Sequence, residues 1–322
     1  MRRRDFVATC GVGLLVSGGF SARDAIATSV SSAAAVVPAL FEDSPFPISL
    51  MLWTVYPDLI FEQRLEKVAE AGIHAVELVD EFKKWSPQDF AAARRKKEEL
   101  KITCDATAGV WHTLADPADR EPFLKAVTDF VPVLDGLECS KLILQTGNVV
   151  QGLSREQMHS NCVETLKHAG DLAAKHNVEL LVENIDPEEN PKYFLTSAAE
   201  GFDIVRTVDN PHVKFLYDFF HEQIAGGNLI AKLAKNMSRL GLVHIADVPG
   251  RHEPGTGEIN FANIYRKLGE LNYQRYVAME FKPTGDPVAT LRNAAADAAK
   301  FGREGRAHTS DSISSRRIHA TA

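Results

Sequence analysis

The sequence predicts an α/β fold, a (β/α)8 or TIM barrel, on three observations. Eight short apolar runs recur between residues 46 and 302. Stretches whose apolar residues follow the helical period separate them. The first run continues as LWTVYPD, with none of the glycines of a phosphate-cradling loop, which argues against a doubly wound open sheet. Eight strands alternating with eight helices in roughly 250 residues is what a closed parallel barrel requires.

The runs, in order, are ISLMLWT (48–54), AVELVD (75–80), ITCDAT (102–107) and KLILQTG (141–147). ELLVEN (179–184), VKFLYD (213–218), LVHIAD (242–247) and YVAMEF (276–281) follow. Each is apolar on both faces, as a parallel strand covered on both sides must be. Between the first two, FEQRLEKVAEAG places Phe61, Leu65, Val68 and Ala69 on one helical face and its charges on the other. Helix starts are marked by Ser86 before Pro87, and by Ser154 with Gln157 and Ser197 with Glu200, which fit capping boxes.

The ends of the chain differ from this pattern. MRRRDFVATCGVGLLVSGG joins an arginine cluster to a short apolar stretch, and Ala25–Ala27 offers a small-x-small cleavage site. This pattern predicts a twin-arginine leader over 1–27, export to the periplasm, and no membrane span after processing. Residues 6–20 are too few and too rich in Gly to span a bilayer well. Residues 28–45 are predicted to form a linker, 46–302 the barrel domain, and 303–322, nearly devoid of apolar residues, a disordered tail.

Composition excludes some functions. Hydrophobic residues are 45% and charged residues 25% of the 322, ordinary for a globular protein. The net charge of −7 speaks against a nucleic-acid partner. Cys10 lies in the expected leader, and Cys104, Cys139 and Cys162 have no zinc-finger or disulfide-framework spacing. The partner expected is a small molecule, and assembly into a homo-oligomer is left open.

A barrel carries its chemistry at the C-terminal ends of its strands. There the sequence places Glu77, Asp105 and Gln145 on strands two to four, then Glu183, Asp218, His244 and Glu280 on strands five to eight. Three carboxylates converging without a cation would repel one another and lose hydration. A divalent ion removes both costs. Three carboxylates and an imidazole suit Mn²⁺, Mg²⁺ or Co²⁺ better than structural zinc. The metal ligands predicted are therefore Glu183, Asp218, His244 and Glu280.

Four segments, LVENIDP, FLYDFFHEQ, VHIADVPGRHEPGTGEINF and AMEFKP, resemble the hydroxypyruvate isomerase branch of the xylose-isomerase-like sugar isomerases and epimerases. The resemblance spans about residues 48–300, and PGRHEPGTGEIN is its most specific part. It implies the same four metal ligands, and substrate contacts at His221, Arg251 and Glu189. His252, Glu253 and Glu258 are expected to order the loop. Enzymes close to hydroxypyruvate isomerase often carry Gln where this chain has His244, while His is usual among ketose 3-epimerases.

The expected activity is a metal-dependent isomerisation through a cis-enediolate, hydroxypyruvate to tartronate semialdehyde. Glu183 and Glu280 are the expected acid–base pair. Arg251 suits a substrate carboxylate because its planar fork binds both oxygens. The alternative is a ketose 3-epimerase or a 3-keto-glycoside-processing enzyme acting on exported sugars, which fits an extracytoplasmic location better. A multi-zinc endonuclease on the same fold would need more His ligands and a basic surface.

Overall fold

Side chains alternate across a strand, so each strand of a closed sheet sends every second residue to the barrel axis. In the computed structural model, which describes Phe41 and residues 43–319, eight parallel strands close in sequence order, β8 returning to β1. They are β1 (Ile48–Met51), β2 (Ala75–Leu78), β3 (Thr103–Trp111) and β4 (Lys141–Gln145), then β5 (Glu179–Glu183), β6 (Val213–Asp218), β7 (Leu240–Ile245) and β8 (Val277–Met279). The closing pair matches Ser49 with Ala278.

Helices cover the outside. They are α1 (Phe61–Glu70), α2 (Pro87–Leu100), α3 (Arg120–Leu137), α4 (Arg155–Lys175) and α5 (Ala198–Val208), with α8 (Phe261–Glu270) and α9 (Pro287–His319) closing the circuit. Between β6 and β7 the crossover is split into α6 (Phe219–Ala225) and α7 (Leu229–Asn236), so the described residues hold one helix more than the eight expected. α1 buries Leu65, Val68 and Ala69, the face its period predicts. Of the described helices, none is long and apolar enough to cross a membrane.

Two of the three expected helix starts carry full capping boxes, at Ser86, where only a cap was expected, and at Ser154. Ser86 accepts from the Asp89 amide, and Asp89 accepts in return from the Ser86 amide. Ser154 and Gln157 do the same. The third differs. Ser197 accepts from Ala199, but Glu200 does not reach back, because Arg155 and His159 on α4 draw its carboxylate outward. The next amide has a partner from another element: Glu222 Oε2 accepts from the Ala198 N–H at 2.7 Å.

The chain ends also depart from expectation. The expected leader, 1–27, and residues 28–40 of the expected linker lie outside the described residues. The end of that linker is not free of contacts: Phe41 packs on the core, Asp43 pairs with Arg303, and the Pro45 carbonyl accepts from Arg306. Where a disordered tail was expected from residue 303, α9 runs on to His319. The reason is close packing on α8. A Cβ at Gly269 would stand 2.0 Å from the Gly302 carbonyl oxygen, so only bare backbone lets the two helices approach. Arg266 then reaches Glu304 at 2.8 Å.

Candidate metal centre and substrate cavity

The inward parity that builds the barrel core also builds the site. Leu181, Leu216, Leu242 and Ala278 fill the barrel interior. Two residues further along each strand come Glu183, Asp218, His244 and Glu280, on the same inward face. All four are buried, and each offers a ligand atom lying within 4.8 Å of the others.

His244 is gripped on both sides. Its Nδ1 lies 2.7 Å from Glu280 Oε2, and its Nε2 lies 2.8 Å from Glu77 Oε2 on β2. Glu77 is fully buried within the barrel and belongs to the support of this site rather than to the ligand set. It fixes the ring so that Nδ1 faces Glu183 and Glu280, the arrangement in which a carboxylate behind a histidine orients a metal ligand. This donor set of three carboxylates and one oriented imidazole fits a divalent cation.

The two glutamates differ electrostatically. Glu280 accepts from Trp53 Nε1 at 3.1 Å, and its Oε2 lies 2.9 Å from Arg251 Nη2. Burial pushes its carboxyl up, but Arg251 and His244 outweigh burial and hold it well below the usual carboxylate range. The nearest cation to Glu183 is His244, with Nδ1 3.7 Å away. Burial pushes Glu183 up to about 8, His244 offsetting only part of the effect. His244 itself is raised well above the ordinary imidazole value, because Glu77 and Glu280 overcome the opposing cost of burial.

The residues implied by resemblance arrive at the same place. His221, on α6, is buried, with Nδ1 2.7 Å from Asp186 Oδ2 and Nε2 3.5 Å from Asp218 Oδ2. Arg251 Nη1 is 2.9 Å from Glu189 Oε1, and its guanidinium lies over the rings of Trp53 and Phe220 at 5.6 and 5.1 Å. Its Nε is buried and has no hydrogen-bond partner among the described residues. Together these side chains line a cavity of about 380 Å³ at the barrel mouth.

Arg251 is held there by the loop after β7. Asp247, fully buried, accepts four backbone N–H groups: Val248 and Ile259 on Oδ1, Gly255 and Gly257 on Oδ2, at 2.8–3.0 Å. A Cβ at Gly257 would lie 2.0 Å from the Val248 carbonyl oxygen, so the fold of this loop requires glycine there. His252 reaches the Lys282 carbonyl, Glu253 accepts from Thr284, and Glu258 accepts from Gln223. These three do order the loop.

One rim residue is misplaced by the sequence reading. Asp105 is the third residue of the nine-residue β3, at the opposite end of the barrel from the mouth, where it accepts from Ser49 Oγ at 3.2 Å. The apolar run ended at Thr107, but β3 stays extended to Trp111. Gln145 does line the cavity, as do Trp53 and Trp111. The sequence reading missed Trp53, Trp111 and Asp186. Trp53 and Trp111 carried a usable signal, since each sits at or just beyond a strand's C-terminal end.

A family model described as the xylose isomerase-like TIM barrel matches residues 65–304. The chain belongs to this family. Among its relatives is the hydroxypyruvate isomerase of Escherichia coli (strain K12), 28% identical over 254 residues that cover 76% of this chain and 96% of that protein. Another is the 2-oxo-tetronate isomerase of Haemophilus influenzae, 30% identical over 250 residues, covering 74% of this chain and 95% of the relative. A solved family structure, named as a family 2 AP endonuclease from Brucella melitensis, superposes with a TM-score of 0.67 at 26% identity, over 77% of this chain and 96% of that one.

Proposed function

We propose that this chain is a metal-dependent isomerase that moves a carbonyl to the neighbouring carbon of a small 2-keto-3-hydroxy acid, with hydroxypyruvate to tartronate semialdehyde as the simplest case. The observation that carries this reading is the joining of the four-donor set to Arg251 over one cavity. A cation beside proton-transfer carboxylates suits enediolate chemistry, and an arginine fork at the rim suits a carboxylate.

The reaction conserves every atom. A proton leaves C3, the C2 carbonyl oxygen becomes a hydroxyl, the C3 hydroxyl oxygen becomes the aldehyde, and a proton arrives at C2. Glu183, Asp218, His244 and Glu280 would hold the divalent ion, which supplies Lewis-acid stabilisation of oxyanion charge. Glu183, lacking the three donors that anchor Glu280, is the better proton acceptor at C3. Glu280 faces the cavity from the non-adjacent β8 side and completes the acid–base pair. His221 binds an oxygen that gains charge, Arg251 binds the substrate carboxylate, and Trp53 limits access of water.

Endonuclease action is disfavoured despite the name of the Brucella melitensis protein. A net charge of −7 and an acid-lined cavity of about 380 Å³ repel a phosphate backbone. A ketose 3-epimerase would use the same proton chemistry, differing in which carbon is reprotonated.

Turnover of hydroxypyruvate by Mn²⁺-reconstituted protein in deuterated water tests the reading. The product is expected to carry solvent deuterium at C2. Glu183→Gln and Glu280→Gln are each expected to cut turnover by about 10²–10⁴-fold with the fold intact. Full retention of a substrate deuterium would point to a hydride shift and sink the enediolate route.

A further inference from the structure

Two thiols meet at the end of the barrel away from the metal centre. Cys104 is the second residue of β3, and Cys139 sits in the short corner between α3 and β4. β3 and β4 match Thr107 with Leu142 and Ala108 with Ile143. Carried back along both segments, that register sets Cys104 beside Cys139. Neighbouring strands stand about 4.8 Å apart, inside the roughly 4.4–6.8 Å between Cα atoms that a disulfide bridges. Both side chains lie in the apolar cluster between strands and helices, not in the one that fills the barrel axis. There the two thiols share a hydrogen bond, Cys104 donating to Cys139. Their spacing in the chain does not mark them as a pair; closure of the barrel does.

The corner that carries Cys139 is held in place. The Cys139 amide donates to the Leu134 carbonyl at 3.0 Å. The buried Lys97 ammonium donates to the Leu137 carbonyl at 2.5 Å and to Glu138 Oε2 at 3.2 Å. Lys141 Nζ donates to the Asp105 carbonyl at 3.1 Å, which ties the start of β4 to the residue after Cys104. The sulfurs are thereby kept side by side, so joining them asks for little backbone movement.

The same contacts bring the ammonium groups of Lys97 and Lys141 near the pair, and positive charge favours the thiolate that attacks. The hydrogen bond from Cys104 holds the Cys139 thiol below its ordinary value, against the opposing effect of burial. Cys139 is also the reachable member, for it lies between the exposed Glu138 and Ser140. Cys162 differs on each count. It is fully buried on α4, and burial pushes its thiol up.

We infer that Cys104 and Cys139 join as a disulfide when the chain meets an oxidising thiol–disulfide pool. With glutathione disulfide as the oxidant, the Cys139 thiolate attacks one of its sulfurs, a mixed disulfide forms, and one glutathione thiolate leaves. The Cys104 thiol then gives up its proton and attacks the Cys139 sulfur, displacing the second glutathione thiolate. The two cysteines lose two electrons and two protons, and glutathione disulfide takes them up as two thiols. The new bond closes a loop that contains the rest of β3 and all of α3, which restricts the unfolded chain and stabilises the barrel.

The test uses the full wild-type chain, first reduced with dithiothreitol. One arm is incubated folded with glutathione disulfide, and a second is refolded from urea in the same oxidant. Both are then denatured, alkylated and mapped by peptide mass spectrometry. The expected product is the Cys104 peptide joined to the Cys139 peptide, two hydrogen masses below their sum, with Cys162 alkylated. The melting temperature is expected to rise by several degrees on oxidation and to fall back with dithiothreitol. Cys139→Ala is expected to melt alike with and without oxidant. Closure in either arm upholds the pair, and the wild-type map decides it even if the variant fails to fold. Alkylated Cys104 and Cys139 in both arms, or a bond from either to Cys10 or Cys162, would overturn the inference. A joined pair that failed to raise the melting temperature would do so too, as would a rise that persisted in Cys139→Ala.

Discussion

At the scale of single residues, the site is governed by what stands behind each candidate ligand. His244 is oriented by Glu77, so replacing it by Gln keeps an amide oxygen that a hard cation accepts, whereas Asp218→Ala deletes a charged donor. His244→Gln is expected to retain part of the metal stoichiometry after Mn²⁺ reconstitution, and Asp218→Ala to lose most of it, as read by elemental analysis. Equal retention in both would remove Asp218 from the ligand set. His221 carries a pH signature. Burial lowers its affinity for a proton, but Asp218 and the bond to Asp186 win, raising it to about 9 from the ordinary 6.5. A raised folded-state value stabilises fully below the unfolded value of about 6.5, and the benefit declines as pH rises and is gone above about 9. In chelator-treated protein, the gap in melting temperature between wild type and His221→Gln is expected to shrink between pH 7 and 10. A constant gap would show that His221 is not held protonated by its carboxylate neighbours.

At the scale of elements, the loop after β7 depends on one buried carboxylate. Asp247 satisfies four backbone N–H groups that no neighbouring strand can reach. Leaving a buried donor unsatisfied costs about 1–3 kcal/mol, so Asp247→Ala is expected to destabilise the protein by several kcal/mol less what water recovers. Asp247→Asn keeps one acceptor oxygen and presents an amide to the other donors, so a milder loss follows. In Asp247→Asn, Arg251 loses its fixed placement while the four candidate ligands keep theirs. KM is expected to rise with metal content unchanged. An unaltered KM would show that Arg251 is placed without this loop. The helices follow simpler rules: Ser86 and Ser154 cap as their local sequence dictates, and Glu200 does not because α4 offers it Arg155 and His159.

At the scale of the whole molecule, the arginine cluster and the Ala25–Ala27 site motivate the proposal that the chain is exported and begins near Thr28. Mass spectrometry of native protein decides it, for an intact N-terminus on cytoplasmic material would end the idea.

The sequence alone determined the barrel and the sidedness of its rim. Alternation is a local property, so an apolar residue facing the axis at Leu181, Leu216, Leu242 or Ala278 implies that the charged residue two positions on faces it too. That made Glu183, Asp218, His244 and Glu280 legible as one group, and the Gly- and Pro-rich stretch around Arg251 legible as its loop. Height along the barrel was not legible, because it depends on where each strand starts and stops against its neighbours. Asp105 therefore appeared at the mouth and lies at the far end. Partnerships across the fold were equally hidden. His244 and Glu77 are 167 residues apart, and Trp53 and Glu280 are 227 apart. α9 continues past residue 302 because Gly269 and Gly302 bring two helices together. Only closure of the sheet creates these contacts, since no local period encodes which distant side chain arrives at a given depth. The tertiary structure thus decided what orients each candidate ligand and how far the cavity extends beyond it.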